Sequence, residues 1–516
     1  MNIRKRVTRL ITLAAAVTLA FTGGLAAPAQ AAESSSYIAN DTVWTDTSGK
    51  EILAQGGNVL KVGSTYYWVG QKLVSGTPKA VNLYSSTDLE NWTFKGPILE
   101  QSGTEGALAV GKWLGRPQLN YNPTTRKFVL IVEVNDQMVY VGKKPTGEDE
   151  YWGRNGILFA TSDTVDGTYT PTSTQSAKVN GRTTGDRSVF VDGDKAYLVY
   201  VADKGGRSIN NMINLAPLNK DWTAVEPTVY WEDEPHKEAP AILKANGKYY
   251  LFASGKRDWD ATATYYRVSD TLGGWNTQEP WKKVPHRPTR DDGGDNSFGT
   301  QFEQIIPVVG ESGTTSYLFN GDRYSQYYGG TSAAPGGIGR NAWYPLTFEG
   351  TAPVLHGWSD VDVDTKAGTI TGNRVANGRF DQDIAGKKVP HWTVKAGSNT
   401  YTQKIEDNPA VKTHEIPRQL TVESGWISQD VALPNGSYEL SFDYRSSGAQ
   451  KNAYFEVKGH DGQRSEKVHL NTARNQWATQ KIPFTVKSGK ATLGVWVDSA
   501  APAWLNIDNV SVWSAS

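Results

Sequence analysis

The chain has 516 residues, more than one ordinary domain holds, so at least two domains are expected. Its 53 basic residues balance 53 acidic ones, which leaves no electrostatic footprint for nucleic acid or an anionic membrane. There is no cysteine, which excludes disulfides and thiolate metal sites, while 18 Trp, 24 Tyr and 52 Gly favour many short strands joined by turns.

Residues 1–32 read as a secretory signal peptide. Arg4, Lys5, Arg6 and Arg9 form a basic start, Leu10 to Phe21 is apolar but short for a bilayer, and Ala29-Gln30-Ala31 is a small-x-small cleavage site. Without those four basic residues the balance is 49 to 53, mildly acidic. No second long apolar run follows. A secreted, extracellular, monomeric protein with no nucleic-acid or membrane partner is expected.

Five related segments come next, each an apolar strand, a turn and a returning strand. They begin at Gly56-Gly57-Asn58, Arg116-Pro117-Gln118, Asp186-Arg187-Ser188, Glu238-Ala239-Pro240 and Gln304-Ile305-Ile306. The fourth is the clearest: Ala241 to Leu243, the tight turn Asn246-Gly247, which needs positive φ, then Tyr249 to Ala253. A trailing signature of Ser/Asp turn and aromatic plug recurs with Trp92, Tyr169 and Trp275. With Gln55, Arg116, Asp186, Glu238 and Gln301 as markers, the steps are 61, 70, 52 and 63 residues. Units of that size fit the blades of a five-bladed β-propeller, in which polar residues at the inner strands meet in one funnel. Val361 to Gly372 reads as a closing strand and connector. Alternating strands such as Tyr438 to Tyr444 and Leu505 to Val512 then read as a β-sandwich. The expected organisation is all-β: signal peptide 1–32, propeller 33–365, jelly-roll sandwich 366–516.

Residues of about 50–350 resemble glycoside hydrolase family 43, nearest its exo-β-1,3-galactanase branch. The resemblance rests on Ala54-Gln55-Gly56-Gly57, Tyr66-Tyr67-Trp68-Val69-Gly70, Ser85-Ser86-Thr87-Asp88-Leu89 with Trp92, Arg116-Pro117 with Tyr121-Asn122, Asp186, and Glu238-Ala239-Pro240. Gln301 ahead of Pro307, Gly321-Asp322-Arg323-Tyr324 and Trp343-Tyr344-Pro345-Leu346 complete it. The C-terminal part is similar to a carbohydrate-binding module, through Asn377-Gly378-Arg379-Phe380, Ile427-Ser428-Gln429 and Ile507-Asp508-Asn509-Val510.

The resemblance implies a glycosidase with a polysaccharide or oligosaccharide substrate and no required cofactor. An inverting enzyme sets a protonated carboxyl and a water-activating group about 6.5–9.5 Å apart across the scissile bond. Glu238 corresponds to the acid and Asp186 to the carboxylate that raises the acid's pKa and orients it. Most of the family takes its base from an Asp in the first blade, but Leu53-Ala54-Gln55-Gly56-Gly57 has no carboxylate. Gln301 corresponds to the glutamine thought to position the water, or to substitute for the base, in the galactanase branch. That branch has His in place of Gln55 and Glu in place of Gly115, so Glu105 or Asp322 would have to compensate. Gln55, Arg116, Asp322, Arg323, Tyr324 and Trp259 are the expected substrate contacts, with Trp152 a further loop aromatic. Asn377 and Asp508 are expected to help hold a structural calcium. Three readings follow: an exo-acting, inverting hydrolase releasing galactose-type sugars from galactan or arabinogalactan, a furanosidase releasing arabinofuranose or galactofuranose, and a non-catalytic polysaccharide-binding propeller.

Overall fold

The computed structural model describes residues 37–515 apart from 75–76, 144–148, 176–177, 181, 204–211, 233, 235, 258–259, 290–295, 324–339, 383–388, 406–407, 409–416, 463 and 500–501. Side chains of 135–155, 178, 182–183 and 203 are also left aside. The described residues form strands and no helix. Among them, five sheets of four or five strands follow one another along the chain. The first holds Val59–Val62, Thr65–Lys72, Ala80–Ser86 and Thr93–Glu100. The inner strands of the second to fifth are Leu114–Asn122, Arg182–Asp192, Lys237–Ala245 and Gln301–Val309, with the short strands Lys178–Val179 and His286–Arg287 ahead of them in the third and fifth. A small sixth sheet joins Ile38–Ala39 to Asp360–Asp364 and Thr369–Thr371, where the sequence suggested a closing strand.

Local chemistry explains the repeat. In the fourth hairpin Asn246 and Gly247 take φ of 52° and 71°, the left-handed pair of a two-residue turn, and Ala245 pairs with Lys248. After the first sheet's third strand, Ser86 and Asp88 accept the backbone N–H groups of Asp88 to Asn91 and swing Trp92 inward. Trp92 is buried against Trp68 and Trp343, a residue of the fifth sheet. Tyr169 seals the first sheet to the second, and Trp275 the third to the fourth. The first and fifth sheets share one apolar cluster, so the ring closes. Asn40 clasps it by donating to the carbonyl of Trp343 and accepting that residue's N–H, at 2.8 and 2.9 Å.

The C-terminal strands form a two-layered, nearly closed sheet. Its long strand, Arg418–Ala432, serves both layers: Leu420 to Val422 pairs with Leu505 to Ile507, and Gly425 to Ala432 pairs with Lys490 to Val497. The change of layer falls at Gly425, whose φ of 96° suits glycine. Leu420, Val422, Phe442, Phe455, Val495 and Ile507 fill the space between the layers.

Candidate active site

Four inner strands share a feature that the hydrophobic pattern does not reveal. Each breaks register near its start: between Gly115 and Gln118, Thr184 and Arg187, Glu238 and Ala241, and Phe302 and Gln304. A bulge adds a residue to one strand and re-aims its side chains. The added stretches carry Arg116, Asp186 and Glu303, and the one in the fourth sheet begins directly after Glu238. Arg116 and Ala239 hold φ of 46° and 48° immediately before Pro117 and Pro240. A non-glycine residue in that region costs on the order of 1–3 kcal/mol, and such strain gathers at functional sites. Neither proline interrupts the ladder, because each lies inside a bulge where no N–H is needed.

Side chains tie these strands together. Asn58 exchanges two hydrogen bonds with the backbone of Leu119, at 2.9 and 2.7 Å, and the Ser188 hydroxyl donates to Pro240 O at 2.7 Å. Arg116 is the hub. It ion-pairs with Asp186 at 3.2 Å and with Glu303, while its own N–H donates to Gln71 Oε1 at 3.1 Å. Asp186 Oδ2 also accepts the Ala239 N–H at 3.1 Å. That bond fixes the backbone beside Glu238.

Glu238 is 8% exposed, and its Oε1 accepts from Gln301 Nε2 at 2.8 Å and from the Arg257 N–H at 3.3 Å. Burial, and then the negative charge of Asp186, push its carboxyl up to about 8. At neutral pH it therefore keeps its proton.

A second carboxyl pair, Glu303 and Asp322, lies beneath Arg116, and both are buried. Burial raises both, and Arg116 opposes the rise in each; the neighbouring Asp322 raises Glu303 further. A protonated Glu303 donating to the Asp322 carboxylate accounts for the pair. Asp322 Oδ1 accepts from the Gly56 N–H at 3.3 Å and from Asn341 Nδ2 at 2.9 Å.

The structure thus brings Arg116, Asp186, Glu238 and Gln301 into one network, with Asp322 reached through Glu303. Gln55 lies in the same wall by its bridge to Gln71; it is buried, and its Nε2 lacks a hydrogen-bond partner among the described residues. The Gln301 amide is bound to the Glu238 carboxyl. One expectation is corrected. Arg323 is not a substrate contact. It is fully buried, ion-paired to Asp41 at 2.7 Å and donating to Tyr344 Oη at 2.6 Å and Phe298 O at 3.1 Å, because neighbours on a strand face opposite ways and Asp322 takes the inward place. Glu105 is exposed. Tyr324, Trp259 and the side chain of Trp152 lie outside the described residues.

At Gly115 a Cβ would come within 2.5 Å of the Trp113 ring and 2.7 Å of Gln71 Oε1, so these two side chains occupy the space a carboxylate there would need. Trp113 Nε1 donates to Glu133 at 3.0 Å, and Glu133 ion-pairs with Arg187 at 3.4 Å. Glu133 and Glu303 both escaped the sequence reading. Their signal was a lone carboxylate inside an apolar strand, Leu130-Ile131-Val132-Glu133-Val134 and Phe302-Glu303-Gln304-Ile305-Ile306.

Asn377 and Asp508 have separate partners: Asn377 donates to Pro390 O and accepts the Gln382 N–H, while Asp508 accepts from Asn408 and the Asn509 N–H. No group of three or more acidic, His or Cys side chains among the described residues is placed to hold a metal ion.

A propeller that gathers a proton-bearing carboxyl, a partner carboxylate and an arginine into one wall has the apparatus of a glycosidase. Comparison with known proteins agrees: residues 53–305 match glycosyl hydrolases family 43. The propeller of this chain is a family 43 glycosyl hydrolase domain, and the protein is a glycosidase. The fold is shared with an exo-β-1,3-galactanase from Phanerochaete chrysosporium, solved with β-1,3-galactotriose, at 21% identity over 92% of this chain and 100% of that one, TM-score 0.56. It is shared too with an exo-β-1,3-galactanase from Clostridium thermocellum, at 22% identity over 93% of this chain and 100% of that one, TM-score 0.55. At these identities the likeness concerns the fold. Among curated protein sequences none matches the chain.

Proposed function

We propose that the protein is a secreted, exo-acting glycosidase that releases galactose-type sugars from β-1,3-galactan or arabinogalactan with inversion of configuration. The observation that carries this reading is buried Glu238 set beside the Arg116–Asp186 pair, with Asp186 holding the Ala239 N–H next to it. Glu238 gives its proton to the leaving oxygen. Asp186 disfavours its ionisation and, through the Ala239 N–H, fixes its position. Gln301 holds Oε1, and when a glycan displaces it the freed amide positions the attacking water. The choice of sugar rests on the two structural relatives that carry the galactanase name. The basic stretch and cleavage site at the start of the chain support secretion.

The test is monosaccharide release by the mature protein from β-1,3-galactan, nitrophenyl α-L-arabinofuranoside and nitrophenyl β-D-galactofuranoside. Galactose from galactan alone is expected. Release from a furanoside alone would move the enzyme to the furanosidases. Binding to galactan with no release from any substrate would leave a polysaccharide-binding propeller and remove the catalytic reading.

A further inference from the structure

The inner strand of the fifth sheet is entered through a strained turn. Ser297, Phe298 and Gly299 take φ of 50°, 57° and 78° in succession, with Gln301 two residues on. Adjacent non-glycine residues in the left-handed region persist only where their surroundings hold them. Ser297 is held from the side of the fourth sheet: its hydroxyl donates to Thr262 O and pairs with the Thr264 hydroxyl, both at 2.8 Å. Phe298 is held by the sandwich. It is fully buried, and its ring centroid lies 4.6 Å from that of His391 and 5.0 Å from that of His286. At Gly357 a Cβ would come within 2.1 Å of the same ring, so the ring is closely enclosed there too.

His391 is itself fixed from behind. Val389 and Trp392, on either side of it in the chain, sit in the sandwich core. Gln429, on the long sandwich strand, donates to His391 O at 3.0 Å and exchanges two hydrogen bonds with the backbone of Ala376, at 2.8 and 2.9 Å. Ala376 packs in the apolar cluster of the fourth and fifth sheets, with Phe298 and Phe302. A second tie lies beside the first. Gln382 Nε2 donates to the two carboxylate oxygens of Asp41, at 3.3 and 3.1 Å, and Asp41 carries the ion pair to Arg323. Arg323 donates to Phe298 O, so both ties meet at one turn. Gln301 and Asp322 are partners across the strand pair that this turn opens. The entrances of the first four sheets are tied within the propeller instead, through Asn58 and Ser188.

We infer that the sandwich is a working part of the active site: His391 is a positioning residue that holds the Phe298 turn, with Gln382 as the second tie, and thereby keeps Gln301 on Glu238. The inference rests on the role proposed for Gln301, but not on which sugar is released. The test compares His391→Ala, His391→Phe and Gln382→Ala with Val457→Ala, which removes buried volume from a sandwich strand outside these contacts. On the substrate that the parent hydrolyses best, His391→Ala should lower kcat about tenfold with KM within about twofold of the parent's, because small misplacements of a positioned group are costly. His391→Phe keeps a ring against Phe298 and should keep most of the rate. Gln382→Ala should lose about threefold, and Val457→Ala should melt earlier yet turn over as the parent does. Amide hydrogen exchange read by mass spectrometry needs no turnover: peptides covering Ser297 to Gln301 should exchange about tenfold faster in His391→Ala and at the parent's rate in Val457→Ala. Parental kcat or parental exchange in His391→Ala would overturn the inference, as would an equal loss of kcat in Val457→Ala or His391→Phe, or a raised KM with kcat unchanged. If His391→Ala does not fold, Gln382→Ala decides by the same two readouts. If the parent hydrolyses nothing, the reading of the propeller as this glycosidase fails, and exchange alone decides whether the sandwich holds the turn.

Discussion

Replacing Glu238 by Gln tests the electrostatics of the site through stability as well as rate. Glu238 is buried rather than exposed, and its carboxyl is pushed up to about 8 from an ordinary 4.5. Between those values the folded chain holds a proton that the unfolded chain has released. Stability therefore falls as pH rises through that window. The loss is about 3 kcal/mol by pH 7 and about 5 kcal/mol above pH 8. Gln does not titrate. Its Oε1 can accept the bonds from Gln301 and Arg257, and its amide replaces the O–H. Relative to the parent, Glu238→Gln should gain stability steadily from pH 4.5 upward, with no such gain below. Chemical denaturation at pH 4, 7 and 9 reads this directly. Equal pH dependence in both proteins would refute the buried, proton-holding carboxyl. The same variant should lose about 10²–10⁴-fold in kcat on natural glycans and far less on aryl glycosides whose leaving group needs no proton.

Other outcomes follow from the same geometry. The pH profile of kcat/KM should show a basic limb near pH 8, where Glu238 loses its proton, measured on an uncharged oligosaccharide; activity undiminished to pH 10 would contradict it. Arg323→Met should cost on the order of 3–5 kcal/mol, because it breaks the buried ion pair with Asp41, and leave KM of the surviving folded enzyme unchanged. A raised KM with unchanged stability would restore Arg323 as a substrate contact. Gly115→Ala should lower activity by displacing Trp113 or Gln71, the latter holding the Arg116 N–H; a variant with parental kinetics would show that this wall is slack.

The hairpin ahead of Tyr249 was legible because its turn chemistry is local, and the even spacing of five such hairpins was enough for a propeller. The plugs Trp92, Tyr169 and Trp275 were legible for the same reason. The bulges were not, because an inserted residue leaves no mark on an apolar strand. They bring Arg116 to Asp186 and Glu303 across 70 and 187 positions of sequence. Arg323 was misread because it adjoins Asp322, although alternation allows only one of the two to face inward.

Proton NMR during hydrolysis of a β-1,3-galacto-oligosaccharide tests the central claim most directly, with the parent chain beside Glu238→Gln. The account predicts that α-galactose appears first in the parent, before mutarotation, and that its release nearly ceases in the variant. A β-anomer formed first would contradict inversion, and undiminished release by Glu238→Gln would remove Glu238 as the proton donor.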